Sequence, residues 1–268
     1  MVFLRSLELK RSDCSDFPFC LPLFRQLSGL SFNSAVTFLV GENGSGKSTL
    51  LESLAVATER VAVGADELGD DQSLAAARLL ANHLKLAWNR RTSRGFFLRA
   101  EDFFGYSRRL NRMQQDIRAE ARELRQEYAK QGRSAYATSL ALGALGGAAG
   151  QLQRQYEALE QRSHGESFLD FFNQRVSPEG LYILDEPETP LSPQNQLTLL
   201  MLLDQAVREG SQFVIATHSP ILMALPGADI YSLDQLPPQV VDYRSLPHVS
   251  LTRDFLNNPE AYLRHLLE

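Results

Sequence analysis

Cysteine is scarce: Cys14 and Cys20 are the two in 268 residues. Two cysteines argue against a disulfide framework, and their spacing could hold half a metal site, but no second pair completes it. Both are expected to be ordinary thiols, as suits a reducing cytosol, and the expected location is cytoplasmic. No apolar run reaches the roughly 18 residues needed to span a bilayer. The N-terminus carries Arg5, Lys10 and Arg11 around a strand-like alternation, so it lacks the apolar centre of a signal peptide. A strong charge of one sign is also missing. Lys and Arg number 27 against 32 Asp and Glu, a net charge of −5. That excludes a global basic field recruiting nucleic acid and leaves room for a local patch. Internal repeats are absent. What is present is an ordinary globular balance, 44% hydrophobic and 22% charged, in a chain long enough for one large domain or two small ones.

One segment stands out. Gly41-Glu42-Asn43-Gly44-Ser45-Gly46-Lys47-Ser48-Thr49 follows the apolar run Val36–Val40 and fits G-x-x-x-x-G-K-[ST], a phosphate-binding loop. Three glycines let the backbone wrap an anion through conformations that side chains disfavour. Consecutive N–H groups then converge on the phosphates at the start of the next helix, where the dipole favours negative charge. Lys47 is positioned to reach the β- and γ-phosphates, and Ser48 to offer its hydroxyl to Mg²⁺. Leu50, Leu51, Leu54 and Ala55 continue at helical spacing, as a strand–loop–helix requires.

Elsewhere, residues 2–11 alternate as a strand, and a loop holding Pro18 and Pro22 follows. The helix after the phosphate loop is expected to run to about Glu59. Residues 73–87 read as a helix with Leu74, Ala77, Leu80 and Leu84 on one face, and 96–100 as a short strand. From Glu101 to Gln131 the pattern is helical and rich in arginine. Ten of the seventeen residues from 134 to 150 are Ala or Gly, which suits either a flexible tip or a weak helix. The second half reads as strands at 180–184 and 212–216, each a continuous apolar run of the buried parallel kind. Between them Ser192-Pro193 opens a helix as N-cap and first residue. Strands at 229–234 and 239–244 and an amphipathic helix over 251–267 complete an α/β alternation, an open sheet wrapped by helices.

Two strand ends carry chemistry. The strand at 181–184 runs into Asp185-Glu186-Pro187. An acid at that place completes a Mg²⁺ shell, and Glu186 is suited to polarise an attacking water as general base or hydrogen-bond acceptor. The strand at 212–216 ends in Thr217-His218-Ser219-Pro220, where open α/β sheets bind ligands. His218 suits the γ-phosphate or the attacking water.

GENGSGKST, Asp185-Glu186-Pro187 and Thr217-His218-Ser219-Pro220, in that order, resemble the motifs of ABC-type ATPases. The likeness is to the soluble branch with the chromosome-maintenance (SMC) and double-strand-break-repair ATPases. It implies a phosphate-loop NTPase fold, an ABC-type core with an inserted helical subdomain. A nucleotide-binding lobe would then be formed by residues 1–101 and 177–268, with 102–176 as the helical insertion. It implies ATP as ligand and Mg²⁺ as cofactor, with Lys47, Glu186 and His218 as catalytic groups, residues 41–49 as the phosphate cradle, and Ser48 and Asp185 on the metal. The family's signature, Leu-Ser-Gly-Gly-Gln/Glu, corresponds to Ser163-His164-Gly165-Glu166-Ser167. Ser163, Gly165 and Glu166 match, while His164 replaces a glycine and Arg162 the leucine. Leu191-Ser192 falls at the D-loop without its usual aspartate. Phe97–Glu101 falls at the Q-loop, with Glu101 in place of glutamine. The resemblance also implies a head-to-tail homodimer, each nucleotide lying between one chain's phosphate loop and the other's signature.

Residues 88–125 hold ten arginines and five acids, interleaved with Trp88, Phe103, Phe104 and Tyr106. Arginine with aromatics suits phosphate contact and base stacking. A solvated helix face with pairs such as Glu120 and Arg122 explains the same composition. The expected function is a soluble ATPase whose nucleotide-driven dimer is coupled to a DNA or protein partner through 88–162. The alternatives are the ATPase subunit of a membrane transporter, which the altered signature and the unusual 96–101 segment disfavour, and a low-turnover nucleotide-sensing regulator, which an intact Glu186 and His218 disfavour.

Overall fold

The computed structural model describes residues 2–10, 14–60, 75–100 and 164–267, together with 103, 116–117, 119, 121–128 and 130–131. The Ala/Gly-rich stretch, Ser163 and Glu101 lie outside these residues. Among them, helical structure recurs over 121–128.

Two sheets organise the chain. A small antiparallel sheet has the order β2-β1-β4, from Gly29–Ser31, Leu4–Leu9 and Leu84–Trp88. A larger sheet has the order β5-β6-β7-β3-β8-β9, from Phe97–Arg99, Leu181–Asp185, Gln212–Ala216, Val36–Val40, Asp229–Ser232 and Gln239–Val240. Its strands are parallel except β9, which runs antiparallel to β8. Strands β3, β6 and β7 are buried at every position, which is why they read as unbroken apolar runs rather than alternating ones.

Side chains of successive strand residues divide between two cores. Tyr182 and Leu184 join Phe38, Phe213 and Ile215 on one face. Helices α4 (His164–Arg175) and α5 (Pro193–Arg208) close this face through Phe168, Phe172, Leu199 and Leu203. Leu181 and Ile183 join Leu39, Val214 and Ala216 on the other face, under helix α2 (Lys47–Ala57) through Leu50, Leu51 and Leu54, and under the small sheet. Gln212 joins the two sheets. Its Oε1 accepts the N–H groups of Phe3 and Leu4 at 2.8 and 2.9 Å, and its Nε2 donates to the Leu4 carbonyl at 2.9 Å, all buried. Ser192 caps α5 by accepting the Asn195 N–H, with Pro193 at the first helical position, as the sequence predicts.

Three local expectations are corrected. The helix expected over 73–87 is described only as Ala75–Ala81 (α3); Leu84–Trp88 is strand β4, paired with β1 over Leu4↔Trp88 to Leu9↔Leu84. Tertiary pairing overrode a helical spacing. The loop at Pro18–Pro22 ends in a short helix, α1 (Pro22–Gln26), which Pro22 starts. The closing helix is two, α6 (Pro247–Asn257) and α7 (Pro259–Leu266). Pro259 disfavours a helical Asn258, and the Asn258 side chain caps the second helix by accepting the Ala261 N–H.

Candidate nucleotide site

The strand order brings the three motifs together. Strand β7 lies between β3 and β6, and the register aligns Leu39 with Ala216 and Ala216 with Asp185. The phosphate loop, the Asp185-Glu186 pair and Thr217-His218 therefore leave three adjacent strands at one carboxyl edge, the usual ligand edge of an open α/β sheet.

The loop has the backbone of an anion cradle. Gly44 and Gly46 have φ of 82° and 99°, a region that residues with a Cβ avoid. Gly46 caps α2 in the left-handed conformation. Lys47 is buried, and its ammonium donates to the carbonyls of Gly41 and Glu42 at 2.7 and 2.8 Å. Burial lowers its pKa, and the carboxylates of Glu186, Asp234, Asp185 and Glu188 oppose that fall. Asp234, following β8, accepts the Glu42 N–H at 2.8 Å and so tethers the loop to the neighbouring strand. Thr49, in the first turn of α2, accepts the Ser53 hydroxyl on its carbonyl.

Asp185 lies at the end of β6 with the Ser48 hydroxyl within hydrogen-bonding reach of its carboxyl. Burial pushes its pKa up to about 7, helped by Glu186 and Glu52 and opposed by Ser48 and Arg99. Its Oδ1 is buried without a hydrogen-bond partner among the described residues. A hard cation takes such oxygens. A cavity of about 330 Å³ opens here, lined by Ser48, Glu52, Arg99, Ala100, Asp185, Glu186 and Thr189. Arg99 and Glu52 form a largely buried ion pair at 3.0 Å on its wall. A larger cavity of about 700 Å³, by β1 and α1, holds none of the sequence-predicted site residues.

Glu186 has φ of 47°, a left-handed turn that takes the chain sharply off the strand. A non-glycine residue held there stores strain of about 1–3 kcal/mol, a cost found most often at functional sites. His218 Nε2 lies 3.8 Å from Glu186 Oε1, with both side chains about 41% exposed. That is too long for a direct hydrogen bond, at a spacing where a water can mediate.

Gly165 is buried in the first turn of α4, and Glu166 is exposed beside it. A Cβ on Gly165 would meet the Asn195 amide at 2.6 Å and the Pro190 carbonyl at 3.1 Å. This close approach seats the signature-like helix on the Pro190–Asn195 segment, none of which belongs to the phosphate loop. Among the described arginines of the basic segment, Arg90 pairs with Glu179, Arg94 donates to the Pro178 carbonyl, and Arg91 lies over Trp88, while Arg122 and Arg125 are exposed.

Sequence reading missed Glu52, Arg99, Glu188 and Asp234. Glu52, Arg99 and Asp234 had signals. Glu52 falls one helical turn after Ser48, on the same face. Arg99 and Asp234 end or follow strands at the ligand edge. Glu188 had no local signal: it folds under the His218 loop, with its Oε1 accepting the His218 N–H at 2.7 Å.

Fold and site together have the form of a phosphate-loop nucleotide-binding domain. Two AAA-domain families match the sequence: the one described as an AAA domain matches residues 22–76, and the AAA domain of AbiEii-toxin, type IV toxin–antitoxin description matches 167–224. Among solved structures the chain is similar to an ABC transporter of the metal-chelate type in an inward-facing conformation, at 18% identity, 96% of this chain, 90% of that one and TM-score 0.47. It is similar to the Smc head domain of Pyrococcus furiosus bound to the ScpA C-terminal domain, at 12% identity, 97% and 100% coverage and TM-score 0.40. The SMC head domain from Thermotoga maritima matches at 14% identity, 90% and 98% coverage and TM-score 0.41. No protein of curated function matches the chain in sequence. No helix among the described residues is long and apolar enough to cross a membrane.

Proposed function

We propose that the protein hydrolyses ATP with Mg²⁺, and that ATP drives a head-to-tail homodimer coupled to a DNA or protein partner through residues 88–162. The alignment of Ser48, Asp185, Glu186 and His218 at one carboxyl edge carries this reading.

Residues 41–49 would hold the phosphates, with Lys47 exchanging its loop carbonyls for β- and γ-phosphate oxygens. Ser48 and Asp185 would hold Mg²⁺, and the orphaned, buried Asp185 Oδ1 beside the Ser48 hydroxyl fits that ion. When bound, Mg²⁺ neutralises charge on the phosphate oxygens. Glu186 accepts a proton from the attacking water, and His218, on the far side of the 3.8 Å gap, orients that water or donates to the γ-phosphate. Ser163, Gly165 and Glu166 face a partner chain's nucleotide rather than their own, in keeping with the seating of Gly165 away from the phosphate loop. The partner reading rests on the arginines from Arg108 to Arg125, since Arg90, Arg91 and Arg94 are engaged internally.

The test is association. Glu186→Gln with ATP and Mg²⁺ should elute as a dimer on gel filtration and as a monomer without nucleotide. Adding Ser163→Arg should abolish the dimer while leaving ATP binding to the monomer intact. A monomer under all conditions rejects the head-to-tail arrangement.

A further inference from the structure

Glu188 is placed where the hydrolytic edge is held in shape. It lies three residues beyond the end of β6, past the left-handed turn at Glu186, and its side chain runs back beneath the end of β7. Its Oε1 accepts the His218 N–H at 2.7 Å, and the hydroxyl of Thr217, itself fully buried, also bonds to the carboxylate. Its Oε2 is buried with no hydrogen-bond partner among the described residues. Burying a carboxylate with one oxygen unpaired is costly, and an apolar residue would serve packing alone better. The same segment grips the next residue too. Ser219 donates its hydroxyl to Gln196 Oε1 at 2.6 Å, and Gln196 Nε2 donates to the Leu191 carbonyl at 3.2 Å. Thr217, His218 and Ser219 are thus held from the 188–196 segment, the segment against which Gly165 is seated.

We propose that Glu188 is a positioning residue: by fixing the backbone N–H of His218 it sets the His218 imidazole opposite Glu186. This rests on the reading of Glu186 and His218 as the hydrolytic pair. Glu188 touches none of residues 41–49 and reaches Lys47 only through its field, as the last of the four carboxylates acting on it, so its loss appears chiefly in kcat, with little change in KM.

Three single variants and one double variant test it. Glu188→Leu keeps the bulk and removes the acceptor; Glu188→Gln keeps an acceptor oxygen for the His218 N–H. Glu188→Leu should lower kcat about tenfold or more, with KM and ATP affinity within about twofold. Glu188→Gln should stay within about threefold of wild-type kcat. In a His218→Ala background Glu188→Leu should have no further effect, as expected of residues acting through one another. Additive losses in that background, equal damage from Gln and Leu, or a fall in ATP affinity alongside kcat would overturn the proposal. A normal kcat in His218→Ala alone would instead remove the hydrolytic pair, and the role of Glu188 with it. Should Glu188→Leu fail to fold, the His218 amide resonance decides. It should move upfield in Glu188→Gln as a charged acceptor becomes neutral, and an unmoved resonance would contradict the bond.

Discussion

Asp185 shows what the site costs the fold. Burial raises its pKa from an ordinary 3.8 to about 7. A folded-state pKa above the unfolded one means that the folded chain binds more protons between those values. Stability therefore falls as pH rises from about 4 to about 7 and is flat above. At 1.4 kcal/mol per tenfold, the full penalty at pH 8 approaches about 4 kcal/mol, and about 2–4 kcal/mol is a fair range for a real site. Asp185→Asn is isosteric with the protonated acid and still accepts from Ser48. It should stabilise the nucleotide-free, metal-free protein by that amount at pH 8 and by much less near pH 4.5. At about 2–4 °C per kcal/mol for a chain of this size, the gain is visible by calorimetry or by denaturant titration. Mg²⁺ should narrow the gap by stabilising the wild type alone, since a cation relieves the buried charge. Equal stability of the two proteins at pH 8, or a gain that does not depend on pH, would refute the reasoning.

Two further outcomes are expected. Gln212→Leu removes the partner of the Phe3 and Leu4 N–H groups and of the Leu4 carbonyl in the core, and should cost about 3–9 kcal/mol at about 1–3 kcal/mol per orphaned group; a loss under about 1 kcal/mol by denaturant titration would show that the two sheets do not depend on this link. Lys47→Ala should lower ATP affinity by about a hundredfold or more, the scale of a charged hydrogen bond to phosphate, while the melting curve stays close to wild type; unchanged affinity by calorimetric titration would overturn the phosphate-loop assignment.

Much of this was legible in the chain because buried parallel strands and anion loops leave few choices of residue. Val36–Val40, Leu181–Asp185 and Gln212–Ala216 are buried throughout, and their apolar runs announced them with their polar ends attached. Leu84–Trp88 was hidden, because its pairing with β1 bridges more than seventy residues and leaves no local trace. Glu188 was hidden for a related reason. Its partner, the His218 N–H, is 30 residues away, and only the left-handed turn at Glu186 swings it there. Ser163, Glu101 and the Ala/Gly-rich stretch lie outside the described residues, so the signature-like and Q-loop readings rest on the sequence.

The central claim is that Glu186 activates water at a Lys47–Mg²⁺ phosphate site. The most direct measurement is phosphate release from ATP by wild type and Glu186→Gln, with ATP affinity measured on the same samples. The account predicts release by the wild type only when Mg²⁺ is supplied, and a fall of about 10²–10⁴-fold in Glu186→Gln with affinity within about twofold. Release at the wild-type rate by Glu186→Gln, or ATP binding without any release by the wild type, would contradict it.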